Sequence, residues 1–128
     1  MTDSCDILVL GGGPAGSASA TMLSDAGYKV VILEREKFPR EHVGESLLPA
    51  SIPILEQIGV MPEIERAGFV TKHGATLVWG ADPEPWSWYF ADDPGQRPTS
   101  FQVVRSEFDD ILLKNASKHG VEVIEEAQ

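Results

Sequence analysis

The spacing of hydrophobic and polar residues predicts an α/β protein. Short apolar runs at residues 5–10, 29–33 and 121–124 are typical of buried strands. Between the first two runs, residues 17–26 form a small-residue segment that predicts a helix, and Gly27 follows as its end. A strand, a helix and a strand in this order indicate a parallel sheet. We therefore expect a Rossmann-like fold with a three-layer arrangement, interrupted by an insertion and incomplete within these residues.

Helical spacing recurs twice in the rest of the chain. Pro49 can begin a helix whose apolar stripe is Ile52, Leu55 and Ile58, and a short helix is expected at 62–67. A longer helix is predicted after Ser106, which is the expected N-cap with Asp109 as the acid of a capping box. Its apolar face and its closing glycine are Phe108, Ile111, Leu112, Ala116 and Gly120.

The middle of the chain alternates in the way typical of short strands. Residues 69–80 predict one or two strands with Gly74 as a bend or bulge, and residues 101–105 predict another strand. The proline-rich segment 81–98 predicts a loop that contains a short strand with Trp86, Trp88 and Phe90 on one face. That face is either core or the wall of an aromatic pocket, and we favour core.

These elements indicate one domain. A nucleotide-binding unit is expected at 5–34 and 106–126, with residues 35–105 inserted between its second and third strands. The 10 basic and 20 acidic side chains give a net charge of −10, which disfavours nucleic acid and anionic membranes as partners. Cys5 is the single cysteine, so no intramolecular disulfide can form, and we expect it to be buried. Without a signal peptide or a membrane span, the protein is expected to be cytoplasmic.

A G-x-G-x-x-G motif follows the first strand directly. Gly11 allows the tight turn, Gly13 lets a pyrophosphate approach the backbone, and Gly16 lets the helix pack on the strand. Pro14 and Ala15 complete the motif at the helix N-terminus, where free N–H groups favour phosphate. The strand before the motif and the helix after it make a ligand-free glycine turn a poor explanation.

Charged residues follow the second strand. Glu34 lies 18 residues after Gly16, where an acid accepts hydrogen bonds from a ribose. Arg35 and Arg40 come next, and either can reach a phosphate or an adenine, although a solvated loop is the simpler reading. Arg105, at a predicted strand-to-helix junction, is a third cation for phosphate or else a surface ion pair.

Two further segments carry candidate chemistry. Gly44, Glu45 and Ser46 combine a backbone that can approach a flat ring with an acceptor and a hydroxyl. Lys72 interrupts a strand, where a lone lysine usually faces solvent. His73 is expected at the surface or hydrogen-bonded, and no metal-ligand spacing is present.

These motifs resemble those of the flavin-dependent halogenases, within the class of FAD-dependent monooxygenases and geranylgeranyl-reductase-like flavoproteins. Residues 6–34 are similar to the FAD-binding fold of the whole class, and 44–49 to the segment that approaches the isoalloxazine ring. Gln102 and Arg105, followed by Phe108 and Asp109, resemble the class's FAD-contacting strand and helix. Lys72-His73-Gly74 leading to Trp79-Gly80 resembles the segment of the halogenase active-site lysine, particularly in enzymes acting on phenols, pyrroles or carrier-bound aromatics.

The resemblance implies an activity. A separate flavin reductase supplies reduced FAD, which with oxygen and chloride or bromide yields hypohalous acid. The oxidant passes to Lys72, which presents an electrophilic halogen to an electron-rich aromatic substrate that is free or carrier-tethered. The insertion 35–105 would face the flavin and the active site. The family's later Gly-Asp-Ala and Trp-x-Trp-x-Ile-Pro motifs do not occur, so we expect an N-terminal fragment that needs the remainder of the polypeptide.

Two alternatives remain at this point. The first is another flavoenzyme, a hydroxylase or an ene-reductase, in which Lys72 is incidental. The second is a non-catalytic module that binds FAD or a dinucleotide. The context of Lys72 favours the halogenase over the first alternative, and the absence of the family's later motifs keeps the second open.

Overall fold

The computed structural model of the protein describes residues 4–81 and 83–128. Its strands are β1 (Ile7–Leu10), β2 (Val30–Leu33), β3 (Val70–Lys72), β4 (Gly74–Leu77), β5 (Trp86–Tyr89), β6 (Ser100–Gln102) and β7 (Glu122–Ile124). Its α-helices are α1 (Pro14–Asp25), α2 (Ile52–Gln57), α3 (Met61–Ala67) and α4 (Arg105–Lys118). Single 3-10 turns lie at Pro49–Ser51 and Phe90–Asp92. The predicted α/β class is confirmed.

A parallel sheet with strand order β1-β2-β7 forms the frame of the fold. Ile7 pairs with Val30, and Val31 with Glu122, so the third strand joins β2 on the edge opposite β1. Helices α1 and α4 pack against one face of this sheet, where Ala20, Leu113 and other apolar side chains form a core. Three strands with one covered face make a partial Rossmann-like sheet, as expected.

The first strand differs from the prediction. It begins at Ile7, and Cys5 is exposed rather than buried. Leu8 is 51% and Leu10 78% exposed, while Ile7 and Val9 pack against the core. Side chains alternate across a strand, and α1 covers only one face of β1, so half of this apolar run faces outward.

A second core lies between α2, α3 and the first half of α4. Ile58, Val60 and Ile64 are almost completely buried and pack against Phe108 and Leu112 of α4. The Asn115 Nδ2 of α4 donates a hydrogen bond of 2.9 Å to the Ile58 carbonyl. The predicted helical stripe after Pro49 is therefore correct, and it packs the segment that follows β2 against α4.

Two antiparallel strand pairs complete the insertion. β3 pairs with β6, and β4 pairs with β5, with Gly74 opposite Tyr89. A Cβ at Gly74 would lie 2.1 Å from the Trp88 carbonyl oxygen, which explains the glycine where the chain passes from β3 to β4. The predicted aromatic face is buried at one end and exposed at the other. Phe90 is buried, Trp88 packs edge-on against it with 5.2 Å between ring centres, and Trp86 is 54% exposed.

The start of α4 corrects another prediction. The helix begins at Arg105, with Val104 as N-cap, so Ser106 lies inside it and is not the cap. Asp109 does not close a capping box, because its carboxylate accepts hydrogen bonds from two arginine side chains. The acid three residues after Ser106 therefore serves to bind the two arginines and not to cap the helix.

Candidate nucleotide and active site

The glycine loop leaves open space at the N-terminus of α1. Gly11 has φ +99°, a conformation that favours glycine, and a Cβ on Gly16 would lie 2.0 Å from the Gly11 carbonyl oxygen. A Cβ on Gly13 would meet only Arg40 Nη2, at 3.7 Å. Gly16 is thus required by helix packing, whereas Gly13 leaves a gap that a phosphate can enter.

Glu34 is buried beside this loop. Its Oε2 accepts a hydrogen bond of 2.6 Å from the Gly12 N–H, and its Oε1 accepts one of 2.8 Å from the Glu36 N–H. Burial pushes the pKa of this carboxyl upward, but the two backbone hydrogen bonds and the charges of Arg40 and Arg35 outweigh it and lower the pKa. The group is an ionised acceptor, and each oxygen keeps a lone pair for a ribose hydroxyl.

Asp109 holds two arginines over the same loop. Its carboxylate is completely buried and accepts hydrogen bonds from Arg40 Nη1 at 2.8 Å and from Arg105 Nε and Nη2 at 2.7 and 2.9 Å. The hydrogen bond to Asp109 raises the pKa of Arg105 above its ordinary value. Arg105 Nη1 also donates to the carbonyls of Val43 and Gly44, at 2.8 and 3.1 Å. One acid thereby fixes two guanidinium groups.

These groups border one cavity of about 350 Å³. Its wall includes Gly11, Gly13, Gly16, Glu34, Arg40 and Arg105. Arg35 contributes to it and to a neighbouring cavity at the ends of β1 and β2. Open backbone at a helix N-terminus, two fixed cations and a buried acid fit the pyrophosphate and ribose of a dinucleotide.

Lys72 lies outside this cavity. Its Nζ donates a hydrogen bond of 2.5 Å to Ser46 Oγ, is 3.5 Å from the Leu47 carbonyl oxygen, and is 5.2 Å from the centre of the Phe90 ring. The lysine is half-buried, and its ammonium is directed toward the segment that follows Gly44.

The structure groups the predicted site residues into two sets. Gly11, Gly13, Pro14, Ala15, Gly16, Glu34, Arg35 and Arg105 line the phosphate cavity. Ser46 and Gln102 form a bridge between backbone segments near Lys72, and the Glu45 carbonyl accepts a hydrogen bond from Val103. Gly44 joins the two sets, because its carbonyl accepts a hydrogen bond from Arg105.

The sequence analysis named Arg40 beside Arg35 as a candidate ligand residue but misassigned Asp109 to a capping box. A signal for the role of Asp109 was present: an acid four residues after Arg105 lies on the same helical face, so pairing with that arginine was an available interpretation. The contact between Asp109 and Arg40 spans 69 residues and has no local signal in the sequence.

A phosphate cradle at the carboxyl end of a parallel sheet, with a buried acid beyond it, defines the nucleotide-binding α/β class. Within that class, the chain belongs to the FAD binding domain family, which matches residues 4–128. FAD is the cofactor of this family, and the cavity described above fits it.

Curated relatives of the chain include several flavin-dependent halogenases. The flavin-dependent halogenase armH3 of Armillaria mellea is 46% identical over 126 residues, which are 98% of this chain and 25% of that protein. A 1H-pyrrole-2-carbonyl-(peptidyl-carrier protein) chlorinase of Pseudomonas fluorescens is 41% identical over 138 residues, covering 94% of this chain and 30% of that protein. The chain thus spans about a quarter of the length of its curated relatives.

Solved structures agree with this relationship. The myxobacterial chondrochloren halogenase CndH, described as a variant of FAD-dependent halogenases, matches with a TM-score of 0.88 and 45% identity. The match covers 95% of this chain and 28% of that one. Across residues 4–81 and 83–128, no helix has the length and apolar character that crossing a membrane requires, and no group of His, Cys and acidic residues is arranged to hold a metal.

Proposed function

We propose that the full-length protein carrying this chain is an FAD-dependent halogenase. It would use reduced FAD, oxygen and chloride or bromide to halogenate an electron-rich aromatic substrate. The proposal is carried by the position of Lys72, which lies in the segment that resembles the lysine segment of halogenases. Its ammonium lies against Ser46 of the segment that resembles the isoalloxazine-approaching segment of the whole class. The identities of 46% and 41% to two halogenating enzymes support it.

The phosphate cavity would hold the pyrophosphate of FAD. Arg40 and Arg105 would neutralise its charge, and Glu34 would accept hydrogen bonds from the ribose. The segment 44–49 would lie beside the flavin ring. When bound and reduced, FAD supplies the activation of oxygen that oxidises a halide to hypohalous acid.

Lys72 would handle that oxidant. An ammonium has three N–H donors, so with one directed to Ser46 Oγ and a second to the Leu47 carbonyl oxygen, one remains to hold and polarise hypohalous acid. Loss of a proton would instead allow the amine to become a haloamine. The buried Phe90 ring under the ammonium keeps water from one side of the site.

The substrate would be a phenol, a pyrrole or another electron-rich ring, either free or tethered to a carrier protein. The carrier-tethered option is supported by the relative named as a chlorinase of a carrier-bound pyrrole. We also propose a separate flavin reductase as the source of reduced FAD and the cytoplasm as the location of the protein.

The deciding experiment replaces the lysine in the full-length protein. With a flavin reductase, chloride and bromide present, Lys72→Ala should bind FAD and consume oxygen normally but lose at least about a hundredfold in halogenated product. Lys72→Arg should fail as well, because a guanidinium keeps the charge but has another shape and cannot form the same haloamine. Products would be measured by mass spectrometry.

Lys114→Ala is the matched control, since that ammonium is 69% exposed and pairs with Asp110 on the outer side of α4. It should retain full product yield. A yield of halogenated product from Lys72→Ala within a few-fold of the wild type would reject the role of Lys72. A wild-type protein that consumes oxygen but makes no halogenated product would reject the halogenase assignment and favour the hydroxylase or ene-reductase.

A further inference from the structure

The bond between Lys72 and Ser46 crosses a β-strand. Ser46 lies beside β6 on the edge opposite β3, because the Val103 N–H donates to the Glu45 carbonyl at 2.8 Å and the Leu47 N–H donates to the Phe101 carbonyl at 3.0 Å. Lys72 belongs to β3, on the other edge. Its side chain therefore passes over β6 to reach a partner 26 residues earlier in the sequence.

The pairing register places both groups on one face. Val70 pairs with Gln102, which bridges to Ser46, while Lys72 pairs with Ser100. Side chains two residues apart share a face, so Lys72, Ser100 and Ser46 point to the same side. Leu47 and Phe101 have the opposite parity and pack against the second core. This packing fixes the backbone of Ser46, which therefore presents its exposed hydroxyl at a defined position beside the ammonium.

A hydroxyl suits this task better than a carboxylate would. It accepts one hydrogen bond from the ammonium without placing a compensating charge beside it. The lysine side chain has four rotatable bonds, and the Ser46 hydroxyl, as the nearer of two acceptors at the end of that stem, favours one of its many conformations. One N–H donor of the ammonium then stays available for a ligand.

We infer that Ser46 is the positioning residue of Lys72, and that through it the placement of the lysine depends on the 44–49 segment. This inference rests on the proposed function for its catalytic meaning, but the contact itself can be tested without turnover. Because the segment 44–49 is also proposed to lie beside the flavin ring, the first test is made without FAD and the second at saturating FAD.

The first test is chemical labelling of lysines in the full-length protein without FAD. Reductive methylation with formaldehyde and a borane, followed by peptide mass spectrometry, reports how readily each amine is released for reaction. Relative to Lys114 in the same sample, Lys72 should be labelled about tenfold faster in Ser46→Ala, because the hydrogen bond that holds the amine in place is gone. Ser46→Thr keeps a hydroxyl and should restore the slow rate.

Ser100→Ala is the matched control. Ser100 is the cross-strand partner of Lys72, lies on the same face and is buried, but its Oγ has no hydrogen-bond partner among the described residues. Its removal should leave the labelling rate of Lys72 within about twofold of wild type. Equal labelling in wild type and Ser46→Ala would overturn the inference, as would an equal acceleration in Ser100→Ala.

The second test measures where the oxidant goes. At saturating FAD, Ser46→Ala should release more hypohalous acid to an added trapping dye per molecule of halogenated product, and Ser46→Thr should return that ratio to wild type. An unchanged ratio would overturn the positioning role. If Lys72→Ala retained its halogenated product while Ser46→Ala still accelerated labelling, the catalytic role of Lys72 in the proposed function would fail and the structural contact would stand.

Discussion

The phosphate end and the lysine end of the site are built in different ways. At the phosphate end, buried groups are fixed by partners from distant segments, as with Glu34 on Gly12 and Asp109 on two arginines. At the lysine end, β4 and β5 form a two-stranded pair in which Trp86 and Leu77 are partly exposed. Two strands alone are marginal in water, whereas a packed sheet with helices is not. The phosphate end is thus preformed, whereas the geometry of the lysine end depends on a few contacts.

The largest effect on the phosphate end is expected from removing Asp109, the acid that the two arginines share. Asp109→Ala should lower the free energy of unfolding by about 4 kcal/mol, because two buried guanidinium groups lose their common partner. Denaturant unfolding of the full-length protein measures this. Asp110→Ala removes a neighbouring acid from an exposed pair with Lys114 and should cost less than about 0.5 kcal/mol. Similar values for the two variants would show that the phosphate end is not preformed.

The next largest effect concerns helix packing on β1. Gly16→Ala would place a Cβ 2.0 Å from the Gly11 carbonyl oxygen, so α1 has to shift from the strand. We expect a loss of about 3 kcal/mol in the free energy of unfolding. Ser19→Ala, at an exposed position of the same helix, should change stability by less than about 0.5 kcal/mol. A Gly16→Ala protein as stable as the wild type would mean that the loop can relax.

A substitution at Gly13 should weaken FAD binding without preventing folding. Gly13→Val should fold, since the space around its Cβ is open apart from Arg40 Nη2 at 3.7 Å. It should raise the dissociation constant for FAD by about a hundredfold, because the side chain occupies the place of a phosphate. Titration of the apoprotein with FAD, followed by flavin fluorescence, measures this. Wild-type affinity would contradict the assignment of the cavity to the pyrophosphate.

The smallest effect is a pH dependence from Glu34. Its pKa in the folded state is lowered from 4.5, so it contributes stability above pH 4.5 that is lost as the pH falls through the lower folded value. The difference in unfolding free energy between wild type and Glu34→Gln should therefore shrink between about pH 7 and about pH 3. A constant difference over that range would count against an ionised Glu34 held by backbone N–H groups.

The same contrast explains what could be predicted from the sequence. The β1–α1–β2 unit was predictable, since apolar periodicity, glycine spacing and the following acid are all local signals. The exposure of Cys5 and Leu10 was not, because a run of apolar residues does not reveal which face of its strand is covered. The partners of Asp109 and the anchor of Lys72 depend on strand and helix contacts between residues far apart in the chain.

The ion pair between Arg40 and Asp109 also bears on the order of events during synthesis. Translation produces Arg40 and the glycine loop long before Asp109, which follows 69 residues later. A nascent chain that has not yet released α4 from the ribosome has the loop and Glu34 but lacks the acid that orients both guanidinium groups. The β1–α1–β2 unit can therefore form early, whereas the two arginines receive their common partner only after α4 has emerged and docked.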